Sequence, residues 1–178
     1  MTRDAALKAF QTRTLILLIS KTPRRGSNIP LGRTSWAYPE GIADSDWQSA
    51  ASSSGIQSDY LVAQDYWFVI PAGATIRGVQ LDVLHWTNHA SVDGAVRVVK
   101  TAIGSTDRSS TVSWGGAYYS PEHFVYGGAT DLWGETWTPA DIESSTFGFA
   151  IAAMTTTLGV PSSFFVSDMK ATVYLSCP

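Results

Sequence analysis

Apolar and polar side chains alternate along much of this chain. In residues 75–86, Val79, Leu81 and Val83 alternate with Gln80 and Asp82; near the C-terminus, Met169, Ala171, Val173 and Leu175 alternate with Asp168, Lys170, Thr172 and Tyr174. Such alternation puts successive side chains on opposite faces of a pleated strand with one face in a core. Runs rich in branched and aromatic side chains predict further strands. They lie at Tyr60-Leu61-Val62-Ala63 and on through Tyr66-Trp67-Phe68-Val69-Ile70, at residues 95–100, 111–114 and 147–152, and near Phe124-Val125-Tyr126. Pro71-Ala72-Gly73-Ala74, residues 88–94 and residues 104–110 read as connections, and residues 118–136 as a long aromatic, Gly-rich loop.

Helical signals are few. Thr138-Pro139-Ala140-Asp141 is a helix start, with Thr at the N-cap, Pro at the first helical position and Asp able to reach back to the cap. A second short helix is expected at residues 44–51, where Asp44 could cap. Many short strands, turn signals between them and no long amphipathic helix predict an all-β fold. The expected form is an antiparallel, jelly-roll-like β-sandwich with one or two short helices.

Residues 1–35 differ from the rest, so the chain divides into an extended N-terminal arm, 1–35, and a sandwich domain, 36–178. The arm has four Arg and two Lys by residue 25, then Arg33, and a Pro/Gly/Ser stretch over residues 23–32. Within it, Leu15, Ile16, Leu17, Leu18 and Ile19 favour an extended strand that needs another surface to cover it, and Arg24 and Arg25 follow. That surface is either the chain's own sandwich or a neighbouring subunit. In the second case, deleting residues 1–33 should leave a folded sandwich.

Composition narrows the functional classes. Charged residues are only 15% of the chain, against about 25% in a typical soluble domain, which suits a surface partly hidden by neighbours. A net charge of −3 offers no basic field for a phosphate backbone, so nucleic acid is not an expected partner. The apolar run at residues 15–19 is far too short for a membrane-spanning helix, and the basic residues after it do not form a signal-peptide cleavage site. A single cysteine, Cys177, excludes an intrachain disulfide and a four-cysteine zinc site.

Candidate chemistry is sparse. His85, His89 and Asp93 have the spacing of metal ligands on a helix, but here they fall on a strand end and a turn, so no metal or other cofactor is expected. Asp131, Glu135, Asp141 and Glu143 are close enough in sequence to raise glycoside hydrolysis, yet Asp141 has a capping role and Asp131 a turn role. No serine-nucleophile or phosphate-loop motif occurs, and an enzyme is not expected. Seven tryptophans are many for 178 residues. They serve either core edges and subunit contacts or an aromatic platform for sugar rings, with Trp133 and Trp137 as candidates for glycan or subunit contact.

Several segments together resemble a family of tailed-bacteriophage and prophage virion proteins. These are Tyr60-Leu61-x-Ala63, Phe68-x-Ile70-Pro71-x-Gly73-Ala74-Thr75-Ile76-x-Gly78-Val79 and Val98-x-Lys100. They continue with Tyr126-Gly127-Gly128-x-x-Asp131-Leu132-Trp133-Gly134-x-x-Trp137-Thr138-x-x-Asp141-Ile142, Phe147-Gly148 and Ala171-x-Val173-Tyr174. The resemblance implies a non-enzymatic, homo-oligomeric structural protein of the virion, expected as a trimer and assembled in the bacterial host cytoplasm. On that reading it is a capsid decoration or cement protein attached through its arm. The alternatives are a tail or fibre-attachment protein, bound to tail instead of capsid proteins, and a module recognising a host surface glycan.

Overall fold

The computed structural model describes residues 15–21, 25–29, 48–52, 57–114, 121–156 and 162–177, the first three segments by their backbone alone. Among the described residues, nine strands and one short helix follow in chain order. The strands are β1 (Leu15–Lys21), β2 (Arg25–Ile29), β3 (Gln48–Ser52), β4 (Tyr60–Gln64), β5 (Thr75–Thr87), β6 (Ser91–Val99), β7 (Glu122–Gly127), β8 (Gly148–Thr155) and β9 (Ser162–Cys177); helix α1 (Pro139–Glu143) lies between β7 and β8. They form two antiparallel sheets, one of order β1-β9-β5-β7 with β3 also on β9, the other of order β2-β4-β8-β6. This is the all-β sandwich expected from the alternation.

The long strand β9 is the spine of the first sheet. One edge pairs with β5 along its length, and the other pairs with β1 from Ala171 to Cys177 and with β3 from Ser162 to Val166. Val79, Leu81 and Val83 point inward from β5, as do Met169, Ala171, Val173 and Leu175 from β9, all fully buried. The inward positions of β9 change parity between Val166 and Met169. A register shift between Leu84 and His85 absorbs the extra residue, as a β-bulge does, and keeps both sides of the shift facing the core. A similar shift between Asp93 and Ala95 of β6 lets Asp93 and Val96 both face inward. The outer edge of β6 is covered by the loop after it, through Gly104 N–H to Val98 O, Arg108 N–H to Val96 O and Trp114 N–H to Ser91 O.

Residues 15–21 and 25–29 are strands of the two sheets, so of the two surfaces considered for the 1–35 segment these parts of it meet the chain's own sandwich. The reason is an available partner: β9 and β4 each present an edge that these segments pair along. Other expectations are corrected. Gln48–Ser52 is a strand where a helix end was expected, because the far half of the same β9 edge takes it up; residues 44–47 lie outside the described residues. Residues 111–114 are irregular, although Trp114 is fully buried. Strand β6 begins at Ser91, inside the expected connection, and residues 66–70 are not a strand. Helix α1 starts as expected, with Thr138 and Asp141 forming a reciprocal capping box.

Candidate functional site

Residues 65–70 leave β4 with burial that still alternates. Tyr66, Phe68 and Ile70 are buried, while Trp67 is 57% exposed and Val69 78% exposed. The backbone departs from a strand because Asp65 (φ 64°) and Trp67 (φ 55°) are left-handed. For a bulky L-residue that conformation costs about 1–3 kcal/mol and persists only where the surroundings impose it.

The surroundings here do so. The Tyr66 hydroxyl donates to Met169 O at 3.2 Å. Its ring packs near Phe68 at 6.2 Å and Phe147 at 6.0 Å, and Phe68 meets Phe147 edge-on at 5.8 Å. Ile70 N–H donates to Glu143 Oε1 at 2.7 Å, tying the segment to the end of α1, and the Gln64 side chain donates to Thr146 O at 2.7 Å. The inward rings thus anchor the segment while Trp67 and Val69 face out.

Asp65, Trp67, Phe68, Val69, Glu143 and Ser145 line an open pocket of about 300 Å³. It combines an exposed indole, two carboxylates and a hydroxyl, and no Lys, Arg or His is among its described lining residues. Among the described residues neither Asp65 nor Glu143 joins an ion pair; those formed are Arg97–Asp107, Lys100–Asp141, Arg108–Asp131 and His123–Asp82. An aromatic face ringed by hydrogen-bonding groups can hold a small amphipathic ligand.

The structure places the sequence-derived candidates elsewhere. Trp133 is 0% exposed, so its ring has no face for a sugar or another subunit. It is the plug of residues 127–134. Its indole N–H donates to Val79 O at 2.9 Å, its ring meets Phe149 at 5.5 Å, and Arg108 lies 5.9 Å from it. Arg108 in turn grips Asp131 through two bonds of 2.7 and 2.8 Å, holding that carboxyl below the usual carboxylate range, and Asp131 Oδ1 accepts from Trp133 N–H at 2.8 Å. Gly127 (φ 75°) is required beneath the indole, because a Cβ there would strike Val79 O and Trp133 Nε1. Trp137 is partly buried, donating to Leu132 O at 3.0 Å and lying edge-on to Phe147 at 5.4 Å. Trp133 therefore supplies packing, not a ligand surface. The side chains of Leu15, Ile16, Leu17, Leu18, Ile19 and Arg25 lie outside the described residues, as does Arg24 altogether.

His85, His89 and Asp93 are not brought together as metal ligands, and among the described residues no three such groups converge. His85 is fully buried, stacked between Trp114 at 3.8 Å and Phe124 at 4.3 Å, and burial pushes its pKa down to about 3. His89 is exposed at the turn after β5. Asp93 is buried and accepts from Trp114 Nε1 (2.7 Å), the Tyr126 hydroxyl (2.9 Å) and Ser110 N–H (2.7 Å); burial raises its pKa although these donors oppose it. Of the four clustered carboxylates, Asp131 is held by Arg108, Asp141 caps α1 and pairs with Lys100 at 3.1 Å, and only Glu143 lines the pocket.

No family model matches the chain, and no curated protein does. Among the solved structures similar to it are two at 12% identity. One, a CBM4 structure, has a TM-score of 0.41 over 70% of this chain and 82% of that one. The other, the N-terminal cellulose-binding domain of Cellulomonas fimi β-1,4-glucanase C, has a TM-score of 0.27 over 90% and 86%. Likeness this distant carries no weight for function, and the site rests on its own geometry.

Sequence reasoning missed Trp67 and Asp65. The signal available was the run Tyr66-Trp67-Phe68-Val69-Ile70, apolar at every position. In an extended segment covered on one face, such a run must expose every second side chain.

Proposed function

We propose that this chain is a non-catalytic recognition module that binds carbohydrate at the Trp67 pocket. The observation that carries the reading is the exposed indole of Trp67, held out on a left-handed backbone beside Asp65, Glu143 and Ser145. A sugar presents an apolar C–H face that an indole can cover, and hydroxyls at its rim that carboxylates and a serine can bond. Covering the indole is worth about 2 kcal/mol at ordinary area coefficients, or roughly 30-fold in affinity. Calorimetric titration of oligosaccharides chosen from a glycan array, with wild-type, Trp67→Ala and Trp137→Ala proteins, tests this. The expected result is binding by wild type and Trp137→Ala and its loss in Trp67→Ala. Absence of any glycan binding, or full binding by Trp67→Ala, overturns the reading.

A second reading is the homo-oligomeric structural protein of a phage particle. The observation favouring it is strand β7, which among the described residues pairs only with β5 and exposes 56% of Val125. A sheet edge of that kind can pair with another subunit. On this reading attachment falls to β7 and not to residues 15–29. Light scattering after size exclusion, with Val125→Lys as comparison, should then give a trimer that the variant dissociates; a monomeric wild type removes the reading.

A further inference from the structure

We infer that residues 109–114 form a strap along the β6 edge that acid releases, with the buried imidazole of His85 as its sensor. The strap is irregular chain, and its far end is seated through Trp114. Trp114 N–H donates to Ser91 O at 2.9 Å, and its indole N–H donates to Asp93 Oδ1 at 2.7 Å. The ring itself is fully buried, lies 3.8 Å from the His85 ring at 20° between planes, and meets Phe164 edge-on at 5.9 Å. The near end is pinned separately. Arg108 N–H donates to Val96 O at 2.8 Å, Asp107 Oδ1 accepts from Val96 N–H at 3.0 Å, and Asp131 grips the Arg108 guanidinium. One end of the strap is therefore fixed to β6 and the other rests on a titratable ring.

A proton on His85 would place a charge between two aromatic rings and away from water, which burial opposes. Of the two rings, Phe124 is the harder to move, because β7 pairs with β5 from Gln80 to His85. Trp114, on irregular chain, yields first. Its departure hydrates the imidazole and returns the pKa from about 3 to an ordinary value, so the open strap takes up the proton and gains as pH falls. His85 alone would shift the balance toward opening by ~25-fold between pH 7 and 5. Two effects oppose it. The ring faces attract an imidazolium, and Asp93, held above the usual carboxylate range by burial, favours closure as it takes up a proton. The net shift expected is about fivefold. The other titratable or charged groups on the elements around His85 are Tyr126, which donates to Asp93 and is pushed upward by burial, the exposed Glu122 and His123 of β7, Asp168 and Lys170 of β9, and the ion-paired Arg97, Asp107 and Arg108. All of these are shared by wild type and a variant altered only at His85.

Amide hydrogen exchange of wild type and His85→Phe at pH 7 and 5 tests this, read as protection factors so that the intrinsic pH dependence of exchange divides out. In wild type the Trp114 amide is expected to lose protection about fivefold at the lower pH, while the Arg108 amide and the amides of the β5–β9 ladder stay within about twofold. In His85→Phe only the Asp93 response is left, so the Trp114 amide keeps or gains protection as pH falls. Unchanged protection of Trp114 in wild type overturns the inference. So does a loss shared equally by Arg108 or by the β5–β9 ladder, because the opening would then not be confined to the strap. A loss at Trp114 that survives in His85→Phe also overturns it, since the sensor would lie elsewhere. His85→Leu takes the same place if the phenylalanine variant does not fold, and the wild-type contrast between Trp114 and Arg108 is read without either.

Discussion

Two tryptophans close in character differ in consequence because one is a plug and the other a platform. Trp133→Ala removes a fully buried ring and leaves Val79 O without its indole donor. It is expected to cost about 3–5 kcal/mol in urea unfolding. Trp67→Ala removes a mostly exposed ring and should stay within about 1 kcal/mol of wild type. Equal losses for the two would contradict the burial described. His85 supplies the pH dependence. Its folded pKa of about 3 lies below the unfolded value of 6.5, so the unfolded chain takes up the proton first as pH falls. The stability in question is whole above the unfolded pKa and drains away as pH falls toward the folded one, by about 2 kcal/mol at pH 5. Asp93, pushed upward by burial, works in the opposite sense, gaining stability as it takes up a proton. The clean comparison is therefore with His85→Phe, whose ring fits between Trp114 and Phe124 and does not titrate. Urea titrations from pH 7 to 5 should show a steeper decline for wild type than for the variant, and parallel curves would exclude His85 as the source.

Among elements, α1 bears most directly on the site, since Glu143 at its end both lines the pocket and clamps Ile70. Thr138→Ala removes the acceptor for Asp141 N–H and half of the capping box, which should cost about 1 kcal/mol. It should also weaken sugar binding severalfold, by loosening the turn that holds Glu143. A variant that binds as tightly as wild type would mean that the helix end does not position the pocket. This helix was legible because capping is local chemistry: Thr138, Pro139 and Asp141 decide it among themselves. Strands β5 and β9 were legible for a similar reason, a one-sided alternation that any partner sheet would satisfy. Gln48–Ser52 and Arg25–Ile29 were not, because neither carries a pattern of its own and each becomes a strand only through the edge it meets. The site fell between these cases. The run 66–70 was readable as extended apolar chain, but which of its side chains face out was not, because the left-handed turns at Asp65 and Trp67 are imposed by Phe147, Met169 and Glu143, which lie far along the chain.

Across the whole molecule, the two segments of the N-terminal 35 residues that pair into the sandwich reverse what truncation should do. Strand β1 lies along β9 from Ala171 to Cys177, and β2 along β4 from Tyr60 to Gln64, so one short stretch of chain contributes to both sheets. Deleting residues 1–33 would strip the backbone partners from half of one β9 edge and from all of one β4 edge. Unpaired strand edges are templates for association, and backbone groups that lose partners without gaining water cost free energy comparable to lost hydrogen bonds. The second consequence reaches the pocket, because β4 leads directly into Asp65 and Trp67. The truncated chain is therefore expected to melt at least 10 °C or so below the parent, to associate during size exclusion, and to lose sugar binding. A detachable arm makes the opposite forecast, a truncated chain that melts with the parent, runs as a discrete species and keeps the Trp67 site intact. Melting curves and elution profiles of the two chains side by side decide between them. Survival of the parent melting temperature would mean that β1 and β2 do not hold the two sheets.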